Sequence, residues 1–399
     1  MADQVNNFLC VSTFFKGEKF LESCKAEGNN VFLLTLKNLE NESWPWEAIT
    51  DVFYIESWNK ENVIKGLAYK FKSIRFDRFV ALDDFDVEHV AELREHFRMP
   101  GMGSTTARYF RDKLAMRMKA KEEGVNVPDF TPLYNDEAIN TYADNVAPPW
   151  LLKPRSEASA AGIKKIYGKD ELWQVIHSLG EERDHFLVEK FAPGNVYHVD
   201  GLNLNGKVVF SRVSKYLDTP FEVAHGGGIF RSASCELGSK IEKNLSKMNT
   251  QVMNAFGMRD GASHTEFIES KETGELFFLE TSSRVGGANL AEMVEAASGI
   301  NLWTEWAKIE TVNLRSIPYK LPKLNNKYAG IVVSLSRYEH PDTSSFTDSE
   351  IVWRMNKPWH IGLIVCADTS ERILELLDNY TRRIHNEFHA SSPAPDTLH

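Results

Sequence analysis

The first hundred residues switch repeatedly between two hydrophobic periods. The runs FLCVST (8–13), NVFLLTL (30–36), DVFYIES (51–57) and RFVALDDFD (78–86) are short blocks of β-branched and aromatic residues, which predict strands. Between and after them, residues 16–27 and the run VEHVAELREHF (87–97) carry the 3.6 period of amphipathic helices. This alternation predicts an open βαβ sheet in a doubly wound arrangement. Beyond it the class changes from α/β to α+β.

Pro100-Gly101-Met102-Gly103 breaks the pattern, and Ser104 is positioned to cap a helix running to residue 123. That helix holds Arg108, Arg111, Lys113, Arg117, Lys119 and Lys121, with Leu114 and Met118 as its inward-facing residues. A short helix over 135–145 leads to Pro148-Pro149 and a strand-like run ending at Lys153. Ser156, Ser159, Ala160 and Gly162 belong to a small-residue stretch that can either close over phosphates or form a plain hairpin turn. After a helix around 170–179 come HFLVEKFAPG (185–194) and VYHVDGLNLNGKVVFSRVSKY (196–216), whose Asn205-Gly206 pair predicts a hairpin. FEVAHGGGIFRSAS (221–234) reads as a glycine loop, and 237–256 as a helix. The C-terminal part predicts two helices, three strands, a last helix from Thr369, and a polar tail.

The stretch with most chemical content is GASHTEFIESKETGELFFLETSSRVGG (261–287), two alternating runs around a Lys-Glu-Thr-Gly turn. In a hairpin, Glu266 shares a face with His264, and Glu280 shares one with Ser282. A register centred on Thr273 sets Glu266 opposite Glu280. Two opposed carboxylates repel, and a divalent cation with oxygen ligands, Mg²⁺ or alternatively Mn²⁺, removes the repulsion. Arg284 and Gly286-Gly287 follow at once, a bidentate anion donor and an open backbone. A solvated hairpin with ordinary surface acids is the competing reading of this stretch alone.

Composition narrows the classes. A 399-residue chain that is 42% hydrophobic can bury sizeable cores, and no stretch has the apolar length of a bilayer-spanning helix. A formal charge of −10 argues against a nucleic-acid partner, and four scattered cysteines point to free thiols and a cytoplasmic location. The acidic cluster Asp83, Asp84 and Asp86 follows a predicted parallel strand, where it either faces a substrate amine or complements a helix N-terminus. A rival grouping of His198, Asp200, His225, His264 and Glu266 suggests a transition-metal enzyme without nucleotide.

In order along the chain, Lys113, strand-final Lys153 with its small-residue loop, VEKFAPG, HTEF and FLETSSRVGG resemble the ATP-grasp superfamily, carboxylate–amine ligase type, over about residues 5–310. The resemblance implies a two-lobed ATP-grasp fold after the N-terminal sheet. It implies a pre-ATP-grasp domain at 1–100, a linker helix and small lobe at 101–185, a large lobe at 186–310, a C-terminal subdomain at 311–390 and a disordered tail at 391–399. It also implies residue roles. Lys113 and Lys153 contact phosphates, 156–162 closes over the triphosphate, and Glu189, Lys190, Phe191 and Ala192 hold adenine. Glu266 and Glu280 bind Mg²⁺, with Ser282 where family members often have asparagine. Val196 stands where many carry a ribose-binding acid, which leaves His198 or Asp200 for the ribose. Arg284 sits by the transferred phosphate, and His225, Gly226, Gly227, Gly228 and Gly286-Gly287 surround a carboxylate substrate. The implied activity joins a small carboxylate to an amine at the expense of ATP, in a chain that dimerises in many relatives. Another acceptor such as a thiol or bicarbonate, or binding without catalysis, are the alternatives.

Overall fold

The computed structural model describes residues 5–157 and 161–391, the side chains of Ala224 and His225 aside. The chain starts with β1 (Asn7–Ser12), α1 (Glu18–Ala26), β2 (Asn30–Leu36), β3 (Asp51–Ile55), α2 (Lys60–Lys70), β4 (Arg78–Ala81) and α3 (Asp86–Phe97). The four strands form one parallel sheet in the order β3-β2-β1-β4. Helices cover both faces, so the central strands are apolar along their whole length: Phe8, Leu9, Cys10 and Val11 are each fully buried. The expected open βαβ sheet is present.

The basic stretch that follows differs from the single helix expected. It divides into α4 (Ser104–Arg108) and α5 (Lys113–Glu122), because Asp112 accepts hydrogen bonds from the N–H groups of Leu114 and Ala115 and starts a new helix. Ser104 caps nothing. Gly103 occupies the cap position, and both the N–H and the hydroxyl of Ser104 donate to Glu95. Leu114 is buried as expected, but Met118 is 59% exposed, since the restart at Asp112 resets the helical phase.

A small antiparallel sheet, order β5-β8-β6-β7, comes next, built from β5 (Phe130–Pro132), α6 (Asp136–Asn145), β6 (Trp150–Pro154), β7 (Lys164–Ile166), α7 (Lys169–Leu179) and β8 (Phe186–Lys190). Trp150, Leu152, Ile166, Leu172, Ile176 and Val188 form its core. The rest of the chain supplies β9 (Gly194–Leu204), β10 (Lys207–Tyr216), α8 (Pro220–Gly226), β11 (Phe230–Ser234), α9 (Lys240–Phe256), β12 (Gly261–Ser270), β13 (Leu276–Ser282), α10 (Leu290–Ser298), α11 (Leu302–Arg315), β14 (Tyr328–Leu335), β15 (Ile351–Arg354), β16 (His360–Ala367) and α12 (Ser370–Glu387). Its eight strands form one antiparallel sheet, β13-β12-β9-β10-β11-β14-β16-β15, so the C-terminal strands continue the sheet that carries the central hairpin. Val199 and Val213 pack on one face against α9, and Val196 and Ile268 on the other against α10.

Residues 221–226, expected as a glycine loop, belong to the short helix α8. Thr219 and Glu222 cap it reciprocally, with Pro220 in its first turn. Only Gly227 and Gly228 lie beyond it, Gly227 at a φ of 63°. Ser159 and Ala160 fall outside the described residues, as does the tail beyond Ser391.

Candidate active site

The small sheet and the large sheet face each other across a cleft of about 480 Å³. Lys113, Lys153, Glu189, Lys190, Phe191, Ala192, Glu266, Glu280, Ser282, Arg284 and Gly287 all line it, drawn from three separate parts of the chain. Ser156, Gly162, His198, Gly226, Gly227, Gly228 and Gly286 do not.

The central hairpin has the register read from the sequence. Glu266 pairs with Glu280 and His264 with Ser282, and a bulge then shifts the ladder between Glu266 and Phe267. The two acids differ in surroundings. Glu280 lies 2.9 Å from the Lys113 ammonium, and Glu266 accepts a 2.8 Å hydrogen bond from the Tyr216 hydroxyl. Burial alone would raise the Glu266 carboxyl, but His264 and Tyr216 hold it below its ordinary range. These acids fit a hard divalent cation: both are carboxylates, both line the cleft, and each has a cation or a hydroxyl beside it. Ser282 is engaged differently, its hydroxyl hydrogen-bonded to Asp84.

Glu189 has a different environment from that of an open hinge. It is 1% exposed and receives Arg117 through Nε at 2.9 Å and a second nitrogen at 2.8 Å, with the Lys153 ammonium on its other oxygen. Burial pushes its carboxyl up, yet Arg117 and Lys153 outweigh that and hold it low. The glutamate therefore fixes Lys153 at the cleft wall and ties α5 to β8. At the hinge, the N–H groups of Lys190 and Phe191 already donate to the carbonyls of Asp129 and Pro149. The Lys165 ammonium lies 3.8 Å from the centre of the Phe191 ring.

His198 and Asp200, the candidates for ribose, are both fully buried inside the large sheet. Asp200 bridges two imidazoles, with one oxygen 2.6 Å from His198 Nδ1 and the other 2.8 Å from His264 Nδ1. His198 Nε2 meets the Ser232 hydroxyl at 2.7 Å. The side-chain nitrogens are thus matched to partners within the protein, which accounts for this cluster without a metal. Burial works against charge on His264, but Asp200 and Glu266 bring its pKa up to about 9. Gly286, expected at the substrate, packs on this cluster: a Cβ there would lie 2.8 Å from both Asp200 Oδ1 and His264 Nδ1.

Of the two readings of the acidic cluster after β4, a substrate amine or a helix N-terminus, the second fits Asp86, which lies in the first turn of α3. Asp86 accepts from the Thr13 N–H and hydroxyl at 2.8 Å, and Asp83 pairs with Lys16 at 3.2 Å. Asp84 is 6% exposed, with Arg111 at 3.4 Å and Arg284 Nε at 3.6 Å. Burial raises its carboxyl, but Arg284, Arg111, the Ser282 hydroxyl and Lys16 together hold it low. Lys16, Arg111 and Arg284 thus meet the three carboxylates Asp83, Asp84 and Asp86 in this corner. Arg284 Nε is buried with no hydrogen-bond partner, as is Asp84 Oδ1.

Sequence reasoning missed Tyr216, Arg117 and α8, of which Thr219 to Val223 line the cleft. The Thr-Pro-Phe-Glu sequence was a legible signal for α8, since Thr and Glu three apart form a capping box. Nothing local marks Arg117, whose partner is 72 residues away.

A cleft between an antiparallel small sheet and a larger sheet, with lysines on one wall and paired glutamates on the other, is the arrangement of an ATP-grasp fold. Residues 146–292 match the ATP-grasp domain family. That match takes in β6, β7 and β8 of the small sheet and the central hairpin, and the proteins this chain is similar to include carboxylate–amine ligases. It is 27% identical over 259 residues to the L-arginine-specific L-amino acid ligase of Bacillus subtilis, covering 63% of this chain and 62% of that protein. It is 23% identical over 204 residues to a D-alanine–D-alanine ligase of Neisseria meningitidis, covering 50% of this chain and 66% of that one. The chain thus spans less than two thirds of the length of these relatives. The crystal structure of an L-amino acid ligase from Bacillus licheniformis superposes with a TM-score of 0.75 at 16% identity, over 96% of this chain and 98% of the other.

Proposed function

We propose that the protein is an ATP-dependent ligase that activates a carboxylate as an acyl phosphate and joins it to an amine, releasing ADP and phosphate. The observation that carries this is the pairing of Glu266 with Glu280 across one cleft from Lys113 and Lys153, with Arg284 beside them. The cleft is lined by six basic and six acidic side chains. A triphosphate entering alone would meet those six carboxylates as well as the cations. Glu266 and Glu280 are therefore the residues to hold Mg²⁺, or Mn²⁺, with Ser282 at the edge of that set. A cation held by them would supply neutralisation of the triphosphate charge.

Lys113 and Lys153 bind phosphate oxygens, the second held in place by Glu189. Lys190, Phe191 and Ala192 border the adenine, and α8 with residues 156–162 excludes water from the reaction. Arg284 and Arg111 orient the substrate carboxylate at the corner beside Asp84. A carboxylate oxygen attacks the γ-phosphorus as the bond to ADP breaks. The amine nitrogen then attacks the acyl carbon, phosphate departs, and the nitrogen loses a proton. Kinship with a ligase named for L-arginine supports amino acids as the substrate class. We place the enzyme in the cytoplasm as a homodimer acting on small molecules; no helix among the described residues is long and apolar enough to cross a membrane.

The test is ADP release over pairs of L-amino acids with Mg²⁺, and trapping of the acyl phosphate by hydroxylamine as a hydroxamate. Both signals are expected to disappear in Glu280→Ala. Undiminished turnover in that variant would overturn the metal assignment.

A further inference from the structure

A second cavity, of about 510 Å³, lies behind the segment that carries Ser282 and Arg284. Its walls come from β4, α3, the linker 100–103, the turn 257–260 and α11, and Ser283 forms part of one side. Ser283 is flanked by two residues of the first cleft, so the two spaces share that strip of backbone. The linker can approach only as glycine: a Cβ on Gly101 would lie 2.9 Å from Arg94 Nε, at a φ of 129°.

The charges in this cavity do not balance. Arg78, Arg94 and Arg259 line it against Glu310 and Asp260. Arg78 is 7% exposed, and its Nε sits 3.2 Å from Glu310 Oε2 without a hydrogen bond. Glu310 is shared, because its other oxygen takes the Trp306 indole N–H at 3.1 Å. Arg94 donates only to neutral acceptors, the carbonyls of Phe79 and Met102. Burial lowers its pKa to about 10, opposed by Glu310 and reinforced by Arg78. A partly buried guanidinium without its own anion is costly, and a planar carboxylate is the partner that its unspent Nη1 and Nη2 N–H groups fit. Around these charges the walls are apolar, with Val87, Met102, Met258, Trp306 and Leu314.

We propose that this cavity is a second ligand site, separate from the nucleotide cleft, that takes a small organic acid: its carboxylate on Arg78 and Arg94, its apolar body against Trp306 and Leu314. Nothing in the proposed ligase reaction uses these residues. Through Ser283, an occupant abuts the backbone that positions Arg284.

The experiment is calorimetric titration of the full chain with phenylacetate, and in parallel with inorganic phosphate, with and without saturating Mg²⁺ and a non-hydrolysable ATP analogue. Phenylacetate is expected to bind in both conditions. Arg78→Gln is expected to weaken it at least tenfold, about 1.4 kcal/mol. Asn313→Trp, which fills the cavity from α11 while keeping both Arg78 and Glu310, is expected to weaken it as well and keeps the test open should Arg78→Gln fail to fold by circular dichroism. Absence of phenylacetate binding, displacement by the analogue, or unchanged affinity in the folded variants would each overturn the proposal. Phosphate binding as tightly as phenylacetate would overturn the organic-acid assignment. If the analogue itself does not bind, the ligase reading fails while the phenylacetate titration stands on its own.

Discussion

Glu189 shows how far one residue's role depends on what reaches it. Local sequence places it in a strand that borders a hinge; the structure makes it the anion that Arg117 and Lys153 share, deep in the small sheet. Glu189→Gln leaves two buried cations without their carboxylate, so it should cost roughly 3–5 kcal/mol at neutral pH. Because the folded carboxyl is held below its ordinary value, its contribution is fully present above the unfolded pKa and is lost as pH falls through the folded one. The stability difference between wild type and variant should therefore be constant above about pH 5 and shrink toward acid, by the usual carboxylate values. Denaturant unfolding at several pH values measures it, and a difference that grew toward acid would contradict the ion-pair account. Glu266 and Glu280 were legible at this scale because their pairing needs only the period of a hairpin and the position of its turn. His198 and Ser282 were not, because their partners Ser232 and Asp84 come from distant segments.

Among elements, the segment after β13 has the tightest demands. It leaves the sheet at Ser282, turns Arg284 into the cleft and lays Gly286 over the Asp200–His264 hydrogen bond. Gly286→Ala should force those two groups apart and cost about 2 kcal/mol, the scale of a buried charge-assisted hydrogen bond. Thermal or chemical unfolding of the variant checks this. Wild-type stability would mean that the backbone there yields without strain. The same scale explains two misread helices. Asp112 and Thr219 are cap residues whose signal was present but outweighed, in one case by a continuous basic run and in the other by three glycines. Capping chemistry decided both boundaries, where charge pattern and glycine content did not.

At the scale of the whole molecule, the cleft exists only because two sheets of different size face one another, joined through α5 and β8. A ligand bridging them should stabilise the entire chain. Mg²⁺ together with a non-hydrolysable ATP analogue, at about 100 times the dissociation constant, should add about 2.7 kcal/mol, and each alone should add far less. A thermal shift experiment reads this directly. Equal shifts with analogue alone would argue against a cation held by Glu266 and Glu280. The N-terminal sheet joins the same body through α11, where Arg315 bonds Asn6 and Asn29 and Arg78 pairs with Glu310.

The sequence by itself determined the parallel N-terminal sheet and the register of the central hairpin. Each rests on local periodicity or on a turn between neighbouring segments. Tertiary structure decided which acids stay open to a ligand. Asp84, Asp200 and Glu189 look as available in the chain as Glu280 does, but folding brings guanidinium, imidazole or ammonium groups onto the first three from far along the sequence. Glu280 lies at the cleft surface with a single lysine beside it. Neutralisation of that kind is a long-range Coulomb outcome, and no pattern of neighbouring residues encodes it.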